Sequence, residues 1–316
     1  AIKLALVASG IKCRYKVICP AFTYYATAGA IAGMGGVPAF ADIDPETYNI
    51  SLESIEKVIK KDSARKIKAI IPVHLYGQCA DMDGILRIAK KYKLKVIEDA
   101  AQAFGAEYKG KKAGTIGDCN ATSFFPGKNL GAFGDAGMAL TNNKSVAERL
   151  KILRNQGNKD KYYHLMLGYN NRMDAIQAAV LKVKLKYLDA WNEMRRKNAE
   201  YFNQRLGGLN VETPFVPEYT THIYHQYVLR LNSSSSKLIG HLKNKGIDAR
   251  VYYPVPLHLQ KCFKHLNYKK GDFPESEKAA VRTLAIPVYP DLTKQELEYI
   301  VGAIRGLLRR RIRSRV

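Results

Sequence analysis

The chain has 316 residues, 47% of them hydrophobic, and 51 Lys and Arg against 28 Asp and Glu give a formal charge of +23. That is enough apolar material for a large core and more length than one domain of common size uses, so a larger and a smaller domain are expected. No run of about 18 apolar residues suggests a membrane-spanning helix, and five scattered cysteines without a CxxC pair argue against a disulfide framework or a zinc site.

Along the chain, short β-rich runs alternate with amphipathic stretches. Ala1 to Gly10 is too short and too weakly basic for a secretion signal and reads as the middle of a helix. With no initiator Met before it, the chain is expected to be cut there. Val17–Cys19 is the first candidate strand, and Ala26–Met34 a helix closed by Gly35-Gly36. Pro38–Ile43 is a second strand. Ser51 then caps a helix whose Leu52, Ile55, Val58 and Ile59 follow the helical period. Ala69–Val73 is a third strand, Asp81 caps the next helix, and Lys95–Asp99 is a fourth strand. This alternation predicts an α/β domain with a mostly parallel sheet covered on both faces, binding its ligand at the carboxyl ends of the strands.

The pattern changes after about Asn171. Ala175–Leu206 reads as a long helical link, followed by a strand (Tyr227–Leu231), a helix (Ser236–Lys245), a strand near Ala249–Tyr253 and a last helix from about Thr293. The expected division is a large domain over 1–190 and a small α+β domain over 191–316. Most lysines are spread through helices, as solvated faces require. The one dense basic cluster is terminal, at Arg309, Arg310, Arg311, Arg313 and Arg315. No nucleic-acid reading motif accompanies it, so nucleic acid is not expected as the main partner. The cysteines read as small buried hydrophobes in a reducing cytoplasm.

Two segments carry chemistry. Asp99 ends an apolar strand in Val96-Ile97-Glu98-Asp99-Ala100-Ala101-Gln102, at the ligand-binding edge of the sheet, unless it serves as the N-cap of a following helix. Lys128 lies between an aromatic strand and a glycine-rich turn, in Ser123-Phe124-Phe125-Pro126-Gly127-Lys128-Asn129-Leu130-Gly131. Glycines let backbone approach a ligand closely. An amine in a dry pocket gives up its proton more readily and can form an imine, although a surface lysine in a turn remains the alternative.

Together these segments resemble the DegT/DnrJ/EryC1/StrS family of sugar aminotransferases, within the fold-type I pyridoxal-phosphate (PLP) enzymes. The resemblance runs from Ala1 to about Arg305. It is carried by Pro20-Ala21-Phe22-Thr23-Tyr24-Tyr25-Ala26-Thr27, Pro72-Val73-His74-Leu75-Tyr76-Gly77 and Glu98 to Ala106. The lysine segment, Gly168-Tyr169-Asn170-Asn171-Arg172-Met173-Asp174 and Tyr253-Pro254-Val255-Pro256-Leu257-His258 complete it.

The resemblance implies that Lys128 forms the Schiff base and then moves the proton. Asp99 would pair with the pyridinium nitrogen, keeping the ring an electron sink. Tyr24 would stack on the ring and Gln102 lie beside it. Ser123 would bond the phosphate, and Asn170 would reach the phosphate of a neighbouring subunit, so that a homodimer shares its active sites. Tyr253, with Tyr252, and His258 are candidate substrate contacts, with capping or packing as the other reading of His258. The implied substrates are a nucleotide-linked keto sugar and an amino-acid donor, glutamate by family expectation. Lys161-Tyr162-Tyr163-His164 and the segment after it lean towards 3-keto rather than 4-keto sugars, which suits polysaccharide biosynthesis.

Three features depart from the family. Its Ser/Gly-Thr phosphate-binding segment would precede Ala1, which predicts weakened PLP affinity; Arg14-Tyr15-Lys16 replaces an acidic turn; and the arginine tail is unusual. Two rival readings follow. A sugar dehydratase relative would carry histidine in place of Lys128. A truncated, non-catalytic binding or regulatory scaffold would have no reason to keep Asp99, Gln102, Ser123 and Lys128 together.

Overall fold

A computed structural model describes residues 1–313, with side chains as far as Leu308. The terminal arginine cluster singled out in the sequence therefore lies outside the described side chains.

The first elements are α1 (Ile2–Ala8), β1 (Lys16–Pro20), α2 (Tyr25–Ala32), β2 (Val37–Ala41), α3 (Leu52–Lys60), β3 (Ile67–Ile70), α4 (Met82–Tyr92) and β4 (Lys95–Val96). The strands pair in parallel in the order β2-β1-β3-β4. In β1, Val17 and Cys19 enter one core, with Leu6, Phe40 and Ile97. Ile18 enters another on the opposite face, with Ile55, Ile70 and Ile85. Both faces are dry, which is why these strands read as continuous apolar runs. The helix starts follow local chemistry. Ser51 Oγ accepts from the Ser54 amide, and the Asp81 carboxylate accepts from the Gly84 amide.

Regular pairing in β4 stops at Val96, but the chain stays in the sheet. Asp99 bridges Val73 on one side and Ala121 on the other, both in parallel. After a small hairpin, β5 (Glu107–Tyr108) and β6 (Lys111–Lys112), this carries the sheet on to β7 (Asn120–Ser123), which pairs antiparallel with β8 (Gly137–Leu140). Next come α5 (Lys144–Arg154) and a second hairpin, β9 (Asn158–Asp160) and β10 (Tyr163–His164). The long helical link is two helices, α6 (Ala175–Lys184) and α7 (Leu188–Leu206), joined by a 3-10 turn.

The last third builds its own core around Phe202, Leu206, Tyr227, Leu229, Leu284 and Ile304. It contains an antiparallel sheet of β11 (Val211–Glu212), β12 (Tyr227–Leu231) and β13 (Thr283–Ile286), with α8 (Ser236–Lys243), α9 (Pro274–Arg282) and α10 (Lys294–Arg313). The expected strand over 249–253 does not form. Only Arg250 bridges to β13, and the residues beyond it turn away towards the ligand edge of the first sheet. The start of α9 is capped from afar. Asp42, just after β2, accepts from the backbone amides of Glu275 (3.0 Å) and Ser276 (2.8 Å) and from the Ser276 hydroxyl (2.6 Å).

Among the described residues no helix is long and apolar enough to cross a membrane. Cys19, Cys79 and Cys119 are buried, but Cys13 and Cys262 are exposed, so the buried-filler reading holds for three of the five.

Candidate active site

The carboxyl ends of the parallel strands open onto a cleft of about 1610 Å³. Its walls include Tyr24, Asp99, Gln102, Ser123, Lys128 and Tyr253, six of the side chains singled out in the sequence.

Asp99 is 5% exposed. No helix follows it, so it is not an N-cap; its Oδ1 accepts from the Ala101 amide at 3.2 Å in a tight turn. Its Oδ2 accepts from the Thr27 hydroxyl at 2.8 Å, across from the first turn of α2. The residue before it behaves differently. Glu98 points to the other face of the sheet, fully buried, where it accepts from His74 Nε2 (2.8 Å) and from the amides of Gly114 (2.9 Å), Ile116 (2.6 Å) and Gly117 (2.7 Å). The Ala80 amide donates to His74 Nδ1, so the ring proton of a neutral His74 sits on Nε2. Burial alone would raise the Glu98 carboxyl. The hydrogen bond from His74 and the amides of Gly117 and Gly114 outweigh it and hold the group below its ordinary value.

Lys128 sits in a turn closed by its own amide bonding to Phe125 O at 2.8 Å. Gly131 completes the turn, and only glycine suits that position, because a Cβ there would lie 2.3 Å from Pro126 O. Burial lowers the Lys128 pKa, and the Asp99 carboxylate, acting through the cleft, opposes the shift without cancelling it. Ser123 ends β7 at the cleft; its Oγ accepts from the Phe125 amide at 3.3 Å, which leaves its own proton free to donate.

Gln102 is fixed at both ends. Its Oε1 accepts from the Tyr76 amide (2.7 Å) and its Nε2 donates to the Tyr253 hydroxyl (2.8 Å). Tyr24 lies with its ring centroid 5.7 Å from that of Tyr253. The cleft wall is thus shared between the first sheet and the chain segment that follows the last third's Arg250.

Two further residues named from sequence lie outside the lining of this chain's cleft. His258 is 2% exposed, bonds Glu277 through Nε2 at 3.1 Å and packs edge-on against Phe273. Its ring packs against this chain's own residues and is not part of the cleft lining. Asn170, expected to serve the cleft of a neighbouring subunit, is exposed and bridges Asn155. Conversely, Thr27, Arg172, His225 and Gln226 line the cleft and were given no role from sequence. Thr27 stood three residues after Tyr24, one helical turn on and so on the same face, and that spacing was a usable signal.

The donor set fits PLP. It holds a buried carboxylate for a pyridine nitrogen, an amine whose charged form burial disfavours for an aldehyde, and a hydroxyl for a phosphate. Comparison with known proteins points the same way. The model of the DegT/DnrJ/EryC1/StrS aminotransferase family matches residues 1–305. A pleiotropic regulatory protein of Geobacillus stearothermophilus is 48% identical, over 98% of this chain and 82% of the relative. The UDP-N-acetyl-3-dehydro-alpha-D-glucosamine 3-aminotransferase of Acidithiobacillus ferrooxidans is 41% identical, over 98% and 82%. The crystal structure of S. venezuelae DesV in complex with a ketimine intermediate superposes with a TM-score of 0.93 at 36% identity, over 97% of this chain and 82% of the other. With the fold, the donor set and these likenesses in agreement, the chain belongs to the DegT/DnrJ/EryC1/StrS aminotransferase family, and its cofactor is PLP.

Proposed function

We propose that this aminotransferase moves an amino group from an amino acid, glutamate by family expectation, onto a keto sugar carried by a nucleotide, with C3 as the position aminated. One observation carries the assignment of the residues: Lys128 and Asp99 face a single cleft whose other walls supply Ser123, Gln102, Tyr24 and Tyr253. The C3 assignment rests on the Tyr162-Tyr163-His164 region and on the printed name of the Acidithiobacillus relative.

When bound, PLP supplies an aldehyde and an electron-withdrawing ring. The roles left to the chain are these. Asp99, oriented by Thr27, holds a proton on the ring nitrogen. Lys128, whose charged form burial disfavours, would hold the aldehyde carbon and move the proton. Ser123 donates to the phosphate, Tyr24 covers one ring face, and Gln102, fixed by Tyr76, lies beside the ring. Tyr253 borders the sugar subsite. Asn170, exposed and outside the lining of this chain's cleft, suits a role in the cleft of a second copy, so the active form is read as a homodimer. Exposed Tyr162, Tyr163, Leu165 and Leu167 nearby are apolar surface of the kind an interface covers. The same reading includes a division near residue 190 into a cofactor domain and a small domain, and a cytoplasmic setting.

The test is borohydride reduction in the presence of PLP, followed by peptide mapping. The expected result is label on Lys128. Label on another lysine with Lys128 untouched would overturn the assignment.

A further inference from the structure

The segment before β12 is tied down unusually well. The Ile223 amide donates to Gly77 O (2.9 Å) and the Gln226 amide to Tyr76 O (3.2 Å). A Cβ on Gly77 would lie 2.9 Å from the His225 nitrogen, so a side chain at Gly77 would push the segment away. Arg195 of α7 donates to Tyr224 O and Val288 O, with no carboxylate partner among the described ion pairs. This strapping holds the His225 side chain in the cleft wall that Lys128 shares.

The tautomer of His225 follows from its neighbours. Asn129, next to Lys128, donates through Nδ2 to Ile223 O (3.2 Å) and to Asn192 Oδ1 (2.7 Å). A backbone carbonyl can only accept, so the amide group of Asn129 has one allowed orientation, with Oδ1 turned towards His225. That oxygen lies 3.2 Å from His225 Nδ1 and needs a donor, so Nδ1 carries the proton. His74 is the reverse case, with Nδ1 as acceptor and Nε2 as donor. No second hydrogen bond is made by the His225 ring among the described residues, which leaves Nε2 bare.

We propose that His225 is a positioning residue for Lys128: a neutral imidazole, locked by Asn129 as the Nδ1–H tautomer, whose bare Nε2 accepts a hydrogen bond in the cleft from the Lys128 amine. A second proton on the ring is opposed by burial first, then by the charges of Lys128 and Arg195 and by His222. His225 can therefore orient the amine without taking its proton. The charge of Asp99 acts on Lys128 and favours the ammonium form that an Nε2 acceptor also favours. The inference rests on Lys128 being the reactive amine, but its test reads His225 and Lys128 without turnover, so it can fail while the borohydride label still falls on Lys128.

In the full chain freed of cofactor, 15N NMR of labelled histidine, assigned through the signals lost in His225→Gln, should show His225 at neutral pH with Nδ1 protonated and Nε2 bare. An imidazolium, or a neutral ring protonated on Nε2, would overturn the proposal. Asn129→Ala should release the ring into a mixture of tautomers; an unchanged single tautomer would also overturn it. The second measurement is the pH dependence of Lys128 acetylation, read by mass spectrometry. His225→Phe removes an acceptor of the ammonium, so the midpoint should fall and labelling below it should rise about threefold or more. His225→Gln, which keeps an acceptor, should restore most of the midpoint. A His225→Phe midpoint that stays put, or rises, would show that Nε2 does not serve Lys128.

Discussion

Glu98 and Asp99 are chain neighbours on opposite faces of one sheet, and they differ in how much of their bonding capacity the protein uses. Behind the sheet, Glu98 takes four hydrogen bonds, from His74, Gly114, Ile116 and Gly117, and no water reaches it. In front, Asp99 takes one from Thr27 and one from Ala101 and keeps lone pairs facing the cleft. The saturated carboxylate builds the sheet edge; the unsaturated one is available to a ligand. Their basic neighbours differ likewise. His74 is bound directly to Glu98, whereas Lys128 shares a cleft with Asp99 and is still pushed away from its charged form.

Substitutions at four positions can break or sharpen that contrast. Lys128→Ala should have the largest effect, lowering the half-reaction with the amino donor by about 10⁴-fold, or about 5.5 kcal/mol, with the circular dichroism unchanged. Turnover within tenfold of the parent would remove Lys128 from the chemistry.

Glu98→Ala should act on stability instead. It leaves a buried polar cluster without its carboxylate, and breaking a buried pair costs about 3–5 kcal/mol in denaturant unfolding. The pH dependence separates the two faces. The folded Glu98 carboxyl lies below its ordinary 4.5, so its contribution is fully present above that pH and is lost as pH falls through the lower folded value. Glu98→Gln should flatten the acid limb of the unfolding curve. The folded Lys128 amine lies below its ordinary 10.5, so the folded chain binds fewer protons there and stability rises with pH as pH climbs from the folded value towards 10.5. A cofactor-free Lys128→Met chain should lose that rise. If both limbs are unchanged in the variants, the two faces do not differ as described.

Asp99→Asn should come third, at about a hundredfold in the half-reaction, near 2.7 kcal/mol, because an amide cannot hold the pyridinium charge. Near-normal turnover would contradict its role. Thr27→Val should be mildest, since it removes one hydrogen bond to a carboxylate; about 1.5–3 kcal/mol is the usual ceiling, and a five- to tenfold loss is expected. A loss as large as that of Asp99→Asn would mean Thr27 touches the reacting groups itself.

Much of this could be read from the sequence because the signals are local. The caps at Ser51 and Asp81, the apolar runs of β1 and β3, and the glycine-rich turn at Lys128 each lie within one element, and each appears where expected. What was missed depends on pairs far apart in the chain. The strand at 249–253 looked regular by composition, but β13 has only Arg250 as a partner there, and the tyrosines that follow serve the cleft. His258 ended a family motif, yet its ring belongs to Glu277 and Phe273. His225 carried no motif signal, since its place beside Lys128 depends on Asn129 and the strap to Gly77.

The cap on α9 belongs to this second kind. No side chain at its own N-cap, Phe273, bonds the helix start; the bonds come from Asp42, 233 and 234 residues upstream. The two regions are therefore joined by more than α7: the large sheet supplies the anchor on which a helix of the last third begins. A C-terminal fragment made by cutting near residue 190 would carry α9 with bare amides at its start, and a chimera pairing this C-terminal part with another sheet would need an acid in the Asp42 position. Asp42 thus works as a compatibility key between the two parts, since either can change its surface freely while neither can exchange its partner without it.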